Sequence, residues 1–448
     1  MVEVTRIDTG PCRLFLKLES QNPGGSIKDR IALSMIEAAE KAGWLKPGGT
    51  IVEATAGNTG LALTLVGKQK GYNVLLVIPD KMSKEKIQHL RAMGADVRLT
   101  RSDVPHGHPE YYTDMAERLA QQIPGGYFVN QFANDANSEA HFKTTGPEIF
   151  EQMDGDIDAF VAGIGSGGTI TGNAQYFKSR GSNAKIILAD PVGSALAGLI
   201  NEGVAGPDGS YTVEGIGQNF MPDTADADLI DVAYSIPDAE AIATVRELLL
   251  KEGILAGSSS GTLIATALRW CREQTEPKRV VTFVCDTGAK YLSKVYNDAW
   301  LADQGLAERE LHGDLSDLIN RKYAAGDVVV IGPEDTLDTA FKRMRGDGLS
   351  QLPVIQDGRL VGILDESDIV HIMNTDDITR QERFAKPVAS AMTRDLDTLQ
   401  VTESLDALIP VFDRDRVAIV LDGETFVGLI TRTLSLIHIS EPTRPLYI

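Results

Sequence analysis

The stretch from Thr50 to Pro79, TIVEATAGNTGLALTLVGKQKGYNVLLVIP, places a helix-length segment between two short apolar runs. The runs TIVEA and NVLLVIP are rich in β-branched residues, which is typical of buried strands. The segment between them is long enough for a crossover helix, so the two strands are predicted to lie parallel in one sheet. This pattern predicts an α/β fold with helices covering both faces of a parallel sheet.

The same alternation continues along the chain. DVRLT follows the helical SKEKIQHLRAMGA, DAFVAGIGSGG leads through TITGNAQYFKSRG to AKIILAD, and RVVTFVCDTG adds a further strand at residues 279–288. The first twenty residues alternate polar and apolar side chains like a pair of strands. We therefore predict one α/β domain over residues 1–306, with its first strand cut short at Met1.

The second part of the chain contains an internal repeat. DTLDTAFKRM at 335–344 matches ESLDALIPVF at 403–412, and LVGILDESDIV at 360–370 matches FVGLITRTLSL at 426–436. Each copy is a strand and helix unit of about sixty residues that cannot bury its apolar face alone. The repeat therefore predicts a pair of units that pack together.

The predicted boundaries follow from this repeat. Residues 307–326 are polar and are expected to form a linker and an exposed helix. The two units are predicted at 327–383 and 384–433, the second of them truncated. The run LSLIHISEPTR within residues 434–448 resembles the translation of a sequencing-library adapter, so we expect this tail to be non-native.

Composition excludes several classes of protein. The 448 residues include 43 Lys+Arg and 63 Asp+Glu, and the net charge of −20 argues against general affinity for nucleic acid or anionic membranes. Cys12, Cys271 and Cys285 form no C-x-x-C pair and predict neither a disulfide framework nor a metal site. With no apolar run long enough to span a bilayer and no signal peptide, we expect a reducing, cytoplasmic setting.

The glycine-rich run GIGSGGTITG, Gly163 to Gly172, lies between a predicted strand and a helix. Glycines let the backbone approach an anion closely, and the following helix start offers amide donors and a favourable dipole. A tight strand-to-helix turn without a ligand explains the same residues. Both interpretations stay open for this loop alone.

Two other helix starts are rich in small polar side chains. Thr55, Asn58 and Thr59 could bind a carboxylate where the helix after EATAG begins. Capping by Asn58 or Thr59 is the alternative, but capping needs only one such residue and three cluster here. GSSSGT, at 257–262, presents the same choice, and capping is favoured there.

The run QNPGGSIKDR, Gln21 to Arg30, places Lys28 after a glycine pair and before a helix. Alone, Lys28 would be taken for a surface charge, and Asp29 and Arg30 are expected to pair within the first helical turns. Turns of a parallel sheet gather at the carboxyl ends of its strands, where ligands bind. A lysine that forms a Schiff base, with a phosphate cradle nearby, explains all four loops together.

These motifs point to a family. NPGGSIKDR, AGNTG, GSGGTITG and GSSSG, in this order and spacing, resemble the fold type II pyridoxal-phosphate β-synthases, the cysteine synthase and cystathionine β-synthase group. The resemblance implies a tryptophan-synthase-β-like catalytic domain and covers nearly all of residues 2–306. The repeat resembles a pair of α+β CBS domains.

The resemblance also implies roles for single residues. Lys28 would bind pyridoxal 5′-phosphate as an imine, Asn58 would contact the cofactor's 3-hydroxyl group, and Ser259 would face its ring nitrogen. The phosphate would lie on Gly165, Ser166, Gly167, Gly168 and Thr169. The substrate would contact Thr55, Ala56, Asn58, Thr59, Gln131 and Gly215.

The implied chemistry is β-replacement. The amine of Lys28, its pKa lowered by desolvation, would remove the Cα proton of an amino acid. A hydroxyl at Ser259 does not hold the ring nitrogen protonated, which favours loss of the β-substituent to give an aminoacrylate that a thiol then attacks. L-serine with L-homocysteine, giving cystathionine, is the favoured pair, and O-acetylserine with sulfide, giving cysteine, is the alternative. Ala56, Gln218 and Asn219 depart from the family pattern and weaken the choice of serine.

The resemblance leaves other points to be tested. No haem is expected, because no haem-binding segment is present. The CBS pair is expected either to bind an adenosyl ligand, such as S-adenosylmethionine or an adenine nucleotide, or to act in packing. Asp368 occupies the position that binds a ribose in many CBS domains, and Leu434 is its counterpart in the second copy. A homodimer or higher homo-oligomer is also implied.

Overall fold

The structure is a computed structural model, and it divides the chain into two compact units, Met1–Leu301 and Ala302–Ile448. It describes residues 1–55, 57–80, 84–101, 103–104, 107–206, 209–307, 312–319, 323–326, 328–373 and 379–431. Each unit is described below by itself. No helix in this described part of the chain is both long and apolar enough to cross a membrane.

The first unit alternates strands and helices. Its strands are β1 (Val2–Glu3), β2 (Arg13–Leu18), β3 (Thr50–Ala54), β4 (Asn73–Pro79), β5 (Asp96–Thr100), β6 (Gly126–Phe128), β7 (Ala159–Ala162), β8 (Lys185–Pro191), β9 (Val232–Ile236) and β10 (Arg279–Val284). Its helices are α1 (Lys28–Ala42), α2 (Asn58–Gln69), α3 (Lys84–Ala92), α4 (Tyr112–Gln122), α5 (Ala136–Ala140), α6 (Gly146–Gln152), α7 (Gly168–Ser179), α8 (Leu196–Glu202), α9 (Asp238–Glu252) and α10 (Ser258–Arg272), followed by α11 (Asp298–Asp303) at the division between the units. A π-helical turn, His141–Thr145, joins α5 to α6, and short 3₁₀ turns span Glu19–Gln21, Ala227–Leu229 and Gly288–Tyr291.

The strands of the first unit form two sheets. The six-stranded sheet has the order β1-β2-β10-β7-β8-β9, and the four-stranded sheet has the order β5-β4-β3-β6. Every neighbouring pair is parallel except β1 and β2, the two strands of the first twenty residues, which are antiparallel. The predicted α/β class with parallel sheets is therefore confirmed.

Burial explains why the apolar runs form strands. All residues of β4 after Asn73 are buried, and β3 is buried from Ile51 onward, as expected for strands covered on both faces. In the larger sheet, Phe160 packs edge-to-face against Phe177 and Phe283. β3, β7 and β10 are each followed at their carboxyl end by a loop that opens a helix or a turn.

The second unit repeats one arrangement. The first copy contains α12 (Leu337–Asp347), β11 (Gln351–Gln356), β12 (Arg359–Asp365), α13 (Glu366–Met373), α14 (Arg380–Phe384) and a 3₁₀ turn at Val388–Ser390. The second contains β13 (Thr398–Gln400), a 3₁₀ turn at Leu405–Leu408, α15 (Ile409–Asp413), β14 (Ala418–Asp422) and β15 (Thr425–Ile430). In both copies a helix precedes an antiparallel hairpin, and the two hairpins have a register shift at Val354/Ile355 and at Val420/Leu421. The two structural copies therefore correspond to the two copies of the sequence repeat.

One expectation for the linker is wrong. Within residues 307–326, a 3₁₀ turn at Leu315–Leu318 is capped by the Asp314 side chain, and another covers Tyr323–Ala325. Leu315, Leu318 and Ile319 are buried in the core of the second copy, so the described residues of this segment do not form an exposed helix. Burying these apolar side chains is more favourable in free energy than leaving them exposed to water in a linker. Residues 434–448 lie outside the described residues.

Candidate active site

A cavity in the first unit lies at the carboxyl ends of β3, β7 and β10. Seven residues singled out from the sequence line it: Lys28, Asn58, Gly165, Gly167, Thr169, Gly215 and Ser259. The lining also includes Glu214, Ile216, Phe283 and Cys285. The structure therefore brings the lysine, the glycine loop and two of the polar helix starts together, as the rule for parallel sheets predicts.

Lys28 is the first residue of α1 and reaches into this cavity. Burial lowers the pKa of its amine below the usual lysine value, and nearby Cys285 and Asp286 only partly offset that effect. Within the described part of the chain, the amine makes no hydrogen bond or ion pair, whereas its backbone N–H donates to the Ser26 hydroxyl at 3.2 Å. Lys28 is thus a buried amine available as a nucleophile or base.

The glycine loop has no room for side chains. Gly167 has a φ of +91°, which favours glycine, and it caps the N-terminus of α7. A Cβ atom on Gly165 would clash with the carbonyl oxygen of Gly215, and one on Gly168 would clash with the side chain of Asn137. Gly165 and Gly167 line the cavity and α7 begins at Gly168, so the backbone of this loop faces the cavity at a helix N-terminus, where an anion can bind. A lysine amine and an anion cradle in one cavity fit pyridoxal phosphate.

Two side chains behind this loop were missed from the sequence. His141, in the π-helical turn, contacts the Thr145 hydroxyl through Nδ1 at 2.9 Å and the Thr169 hydroxyl through Nε2 at 3.2 Å. Burial lowers the pKa of His141 well below its usual value, so the ring is neutral. Asn137 donates to the Ser166 hydroxyl at 2.8 Å, and Ser166 does not line the cavity. No local sequence signal marks either residue.

Asn58 and Thr59 are not helix caps. α2 begins at Asn58 itself, after Gly57, and shows no side-chain cap. The amide of Asn58 instead bonds Asp286 and Lys290, which the sequence analysis did not select. Both follow β10 at the edge where the other loops meet, so the sheet rule could have identified them.

Three of the predicted substrate residues, Thr55, Thr59 and Gln131, lie outside the lining of the cavity. Thr59 donates to Oε1 of Gln131 at 2.7 Å, and Thr55 accepts from the backbone N–H of Gly57 at 3.1 Å. Ala56 lies outside the described residues.

Glu53, which no motif in the sequence indicated, has a buried carboxyl group that contacts the backbone of Gln131. Glu53 accepts from the backbone N–H groups of Ala54 at 2.9 Å and Gln131 at 3.3 Å. Burial raises the pKa of Glu53 to about 7.

The serine run at 257–262 does not cap its helix with a side chain, so the favoured capping interpretation is wrong. α10 begins at Ser258 with no side-chain cap. The Ser258 hydroxyl accepts from the Glu214 N–H at 3.1 Å, and Ser260 accepts from the Cys285 N–H at 2.9 Å. Ser259 lines the cavity beside Cys285, whose thiol pKa burial raises to about 12.

The expected pairing of Asp29 with Arg30 is wrong. Arg30 makes ion pairs with Glu19 at 2.8 Å and with Glu148 at 2.7 Å, and Asp29 accepts from the backbone N–H of Gly24. Successive residues of a helix point in different directions, which leaves each free for a partner elsewhere. These contacts tie the start of α1 to the rest of the unit.

The three cysteines are free, and two of them meet. Cys12 donates through its sulfur to the carbonyl oxygen of Cys271 at 3.5 Å, and both side chains are buried. Among the described residues, no group of three or more histidine, cysteine, aspartate or glutamate side chains is placed to hold a metal ion.

Comparison with known proteins agrees with this geometry. Residues 1–286 match the family model described as pyridoxal-phosphate dependent enzyme, and residues 315–375 match that of the CBS domain. Cystathionine beta-synthase from Oryctolagus cuniculus is 35% identical over 96% of this chain and 78% of its own length. Cysteine synthase 1 from Neurospora crassa is 40% identical over 67% of this chain and 80% of its own length. The crystal structure of O-ureido-L-serine synthase covers 67% of this chain and 95% of its own, with a TM-score of 0.61 and 34% identity.

Proposed function

The chain belongs to the pyridoxal-phosphate-dependent enzyme family, and we propose that Lys28 is the catalytic residue of its reaction. The protein is a pyridoxal-phosphate-dependent lyase of the cystathionine β-synthase group, which condenses L-serine with L-homocysteine to cystathionine. One observation carries the assignment of Lys28: its buried amine has no partner in the described residues and shares a cavity with the glycine loop.

Different residues of the cavity would contact different parts of the cofactor. When bound, pyridoxal phosphate supplies an aldehyde for an amine and an electron sink for negative charge at Cα. The backbone of Gly165 to Thr169 and the N-terminus of α7 would hold the phosphate. Asn58 would donate to the 3-hydroxyl oxygen, and Ser259 would face the ring nitrogen without giving it a full charge partner.

Lys28 moves the protons of the reaction. Its amine takes the proton from Cα of serine and gives one to the departing hydroxyl group, which leaves as water. The thiol sulfur of homocysteine then bonds to Cβ, and the thiol proton ends on Cα. Burial lowers the pKa of Lys28, which favours the neutral amine that the first step requires.

The predicted substrate residues would bind the substrate carboxylate. The Thr55 hydroxyl and the Gln131 amide would donate to it, Thr59 would hold Gln131 through the hydrogen bond to Oε1, and Gly215 lines the cavity next to the glycine loop. Such neutral donors can hold a carboxylate without placing a further charge next to the amine of Lys28.

Lys28→Ala tests the catalytic assignment. Loss of general-base catalysis predicts a fall in turnover of at least about a hundredfold, together with loss of the visible absorbance of the lysine-bound cofactor. Lys278→Ala removes a lysine that pairs with Asp158 at the protein surface and is expected to change neither. Unchanged turnover in Lys28→Ala would assign the chemistry to another residue.

A second activity is suggested by the relative from Neurospora crassa, which is named cysteine synthase 1 and is 40% identical over 304 residues. In that case the same site would join O-acetylserine to sulfide. Assaying each donor with each thiol separates the two. Much faster turnover of O-acetylserine with sulfide than of serine with homocysteine would replace the favoured assignment.

For the CBS pair, we infer that the first copy binds an adenosyl ligand such as S-adenosylmethionine. The inference is supported by Asp368 in the first turn of α13, whose Oδ2 accepts from the Asp365 N–H at 2.9 Å. Its other oxygen has no hydrogen-bond donor among the described residues and could accept from a ribose hydroxyl. Calorimetry with S-adenosylmethionine and ATP, on the wild type and on Asp368→Ala, tests it. No heat and no change in rate would favour a packing role.

We also propose a homodimer in the cytoplasm. The family resemblance supports the dimer, and the three free cysteines support a reducing compartment. Size-exclusion chromatography with light scattering measures the mass directly, and a monomer would contradict the proposal.

A further inference from the structure

The side chain of Asn58 lies between two opposite charges. Its Nδ2 donates to Oδ2 of Asp286 at 2.7 Å, and its Oδ1 accepts from Nζ of Lys290 at 2.7 Å. An ammonium group can only donate, so Lys290 determines which end of the amide is the oxygen. One hydrogen of Nδ2 is used by Asp286, and the other is free for a ligand in the cavity that Asn58 lines.

The two partners are themselves held in place. Asp286 is 1% exposed, and its Oδ2 also accepts from the Tyr291 hydroxyl at 2.8 Å. Lys290 lies in the 3₁₀ turn Gly288–Tyr291 and donates a second hydrogen bond to the carbonyl oxygen of Gly24 at 3.1 Å. The amide of Asn58 therefore cannot rotate without breaking a bond to a fixed charge.

The charges of Asp286 and Lys290 depend on each other. Burial raises the pKa of Asp286 and lowers that of Lys290, and the attraction between the two groups opposes both effects. Removing one buried charge leaves the other uncompensated, which is costly. While both are present, they polarise the amide between them and strengthen its free N–H as a donor.

We propose that Asp286 and Lys290 are positioning residues that aim the free Nδ2 hydrogen of Asn58 at the 3-hydroxyl oxygen of pyridoxal phosphate. This rests on the proposed function, in which Asn58 binds that oxygen. A different result is expected if Lys290 serves only to connect the Gly288–Tyr291 turn to the loop at Gly24. It would weaken folding without making the protein less selective for the 3-hydroxyl group.

The test compares two cofactors on the full-length protein. Lys290→Met is expected to weaken binding of pyridoxal 5′-phosphate about tenfold, the value of one directed hydrogen bond of about 1.4 kcal/mol. It is expected to leave binding of 3-deoxypyridoxal 5′-phosphate almost unchanged, because this analogue lacks the oxygen. Asp286→Leu, which removes the acceptor for Nδ2, is expected to behave in the same way. Lys278→Met removes a lysine outside the network and is expected to alter neither affinity.

The double mutant Asn58→Ala/Lys290→Met tests whether Lys290 affects cofactor binding through Asn58. If Lys290 acts through Asn58, Lys290→Met adds no further loss to Asn58→Ala. Equal losses for both cofactors, or losses that add in the double mutant, would overturn the proposal. Lys290→Arg keeps a donor and is expected to keep the preference for the 3-hydroxyl group even if Lys290→Met folds poorly. Failure of the wild type to bind pyridoxal 5′-phosphate would instead overturn the proposed function.

Discussion

The hydroxyl group of Thr59 donates a hydrogen bond to Oε1 of Gln131, 2.7 Å away and 72 residues further along the chain. Thr59 belongs to the first turn of α2 after β3, and Gln131 follows β6, the strand that pairs with β3 in parallel. Two residues predicted from separate motifs to bind the same substrate are therefore neighbours. Their contact holds the Gln131 amide in one orientation.

Thr59→Val should raise the KM for L-serine about tenfold and change kcat little, because a contact made equally in the ground and transition states affects binding alone. Steady-state kinetics with saturating homocysteine measures both constants. Thr64→Val is the matched control, because it is the same substitution in the same helix and its hydroxyl bonds the Gly60 carbonyl oxygen. A lower kcat with an unchanged KM would place Thr59 in the chemistry instead of in binding.

Gly165→Ala should abolish most cofactor binding, because the new Cβ would meet the carbonyl oxygen of Gly215 and displace the loop that carries Gly167. Titration of the apoprotein with pyridoxal 5′-phosphate, followed by fluorescence, measures the loss. Gly346→Ala, at a helical position in the second unit with open space around it, controls for the glycine substitution itself. Normal affinity in Gly165→Ala would show that the phosphate lies elsewhere.

His141→Leu should weaken binding of pyridoxal 5′-phosphate but not of pyridoxal, which has no phosphate group. In the neutral tautomer that carries its hydrogen on Nε2, His141 donates to the Thr169 hydroxyl, which leaves the hydroxyl hydrogen of Thr169 free to donate to the phosphate. Leucine has a similar volume but cannot fix that hydroxyl, so a loss of about tenfold is expected. His89→Leu, on the exposed side of α3, serves as the control. Equal losses for both ligands would indicate a general packing defect.

Much of the architecture follows from local patterns, and the errors have a common cause. β3 and β4 were predictable because their apolar runs match the burial of strands covered on both faces. Lys28 and the glycine loop were predictable because each motif stands at the start of a helix. His141 was not, because its contact with Thr169 depends on how a π-helical turn packs against α7.

Ion pairs and helix caps were the least predictable features. Arg30 pairs with Glu148, 118 residues away, and nothing in the neighbourhood of either residue indicates the other. The capping interpretation of Asn58 failed because the helix begins one residue earlier than a cap at that position would require. Such details depend on the tertiary position of each helix start.

The last prediction concerns the pH dependence of stability. Burial raises the pKa of Glu53 from its ordinary value of 4.5 to about 7, so the folded protein keeps a proton that the unfolded chain releases between those values. Stability therefore falls as the pH rises through this window, by an upper limit of about 3 kcal/mol. Tyr112 and Tyr127, the titratable groups facing Glu53, both have raised pKa values and stay neutral there.

Glu53→Gln removes the titration, so its free energy of unfolding should change less with pH than that of the wild type. Urea unfolding at several pH values, with exposed Glu151→Gln as the control, measures the difference. Parallel pH profiles for the wild type and Glu53→Gln would contradict a buried, protonated Glu53.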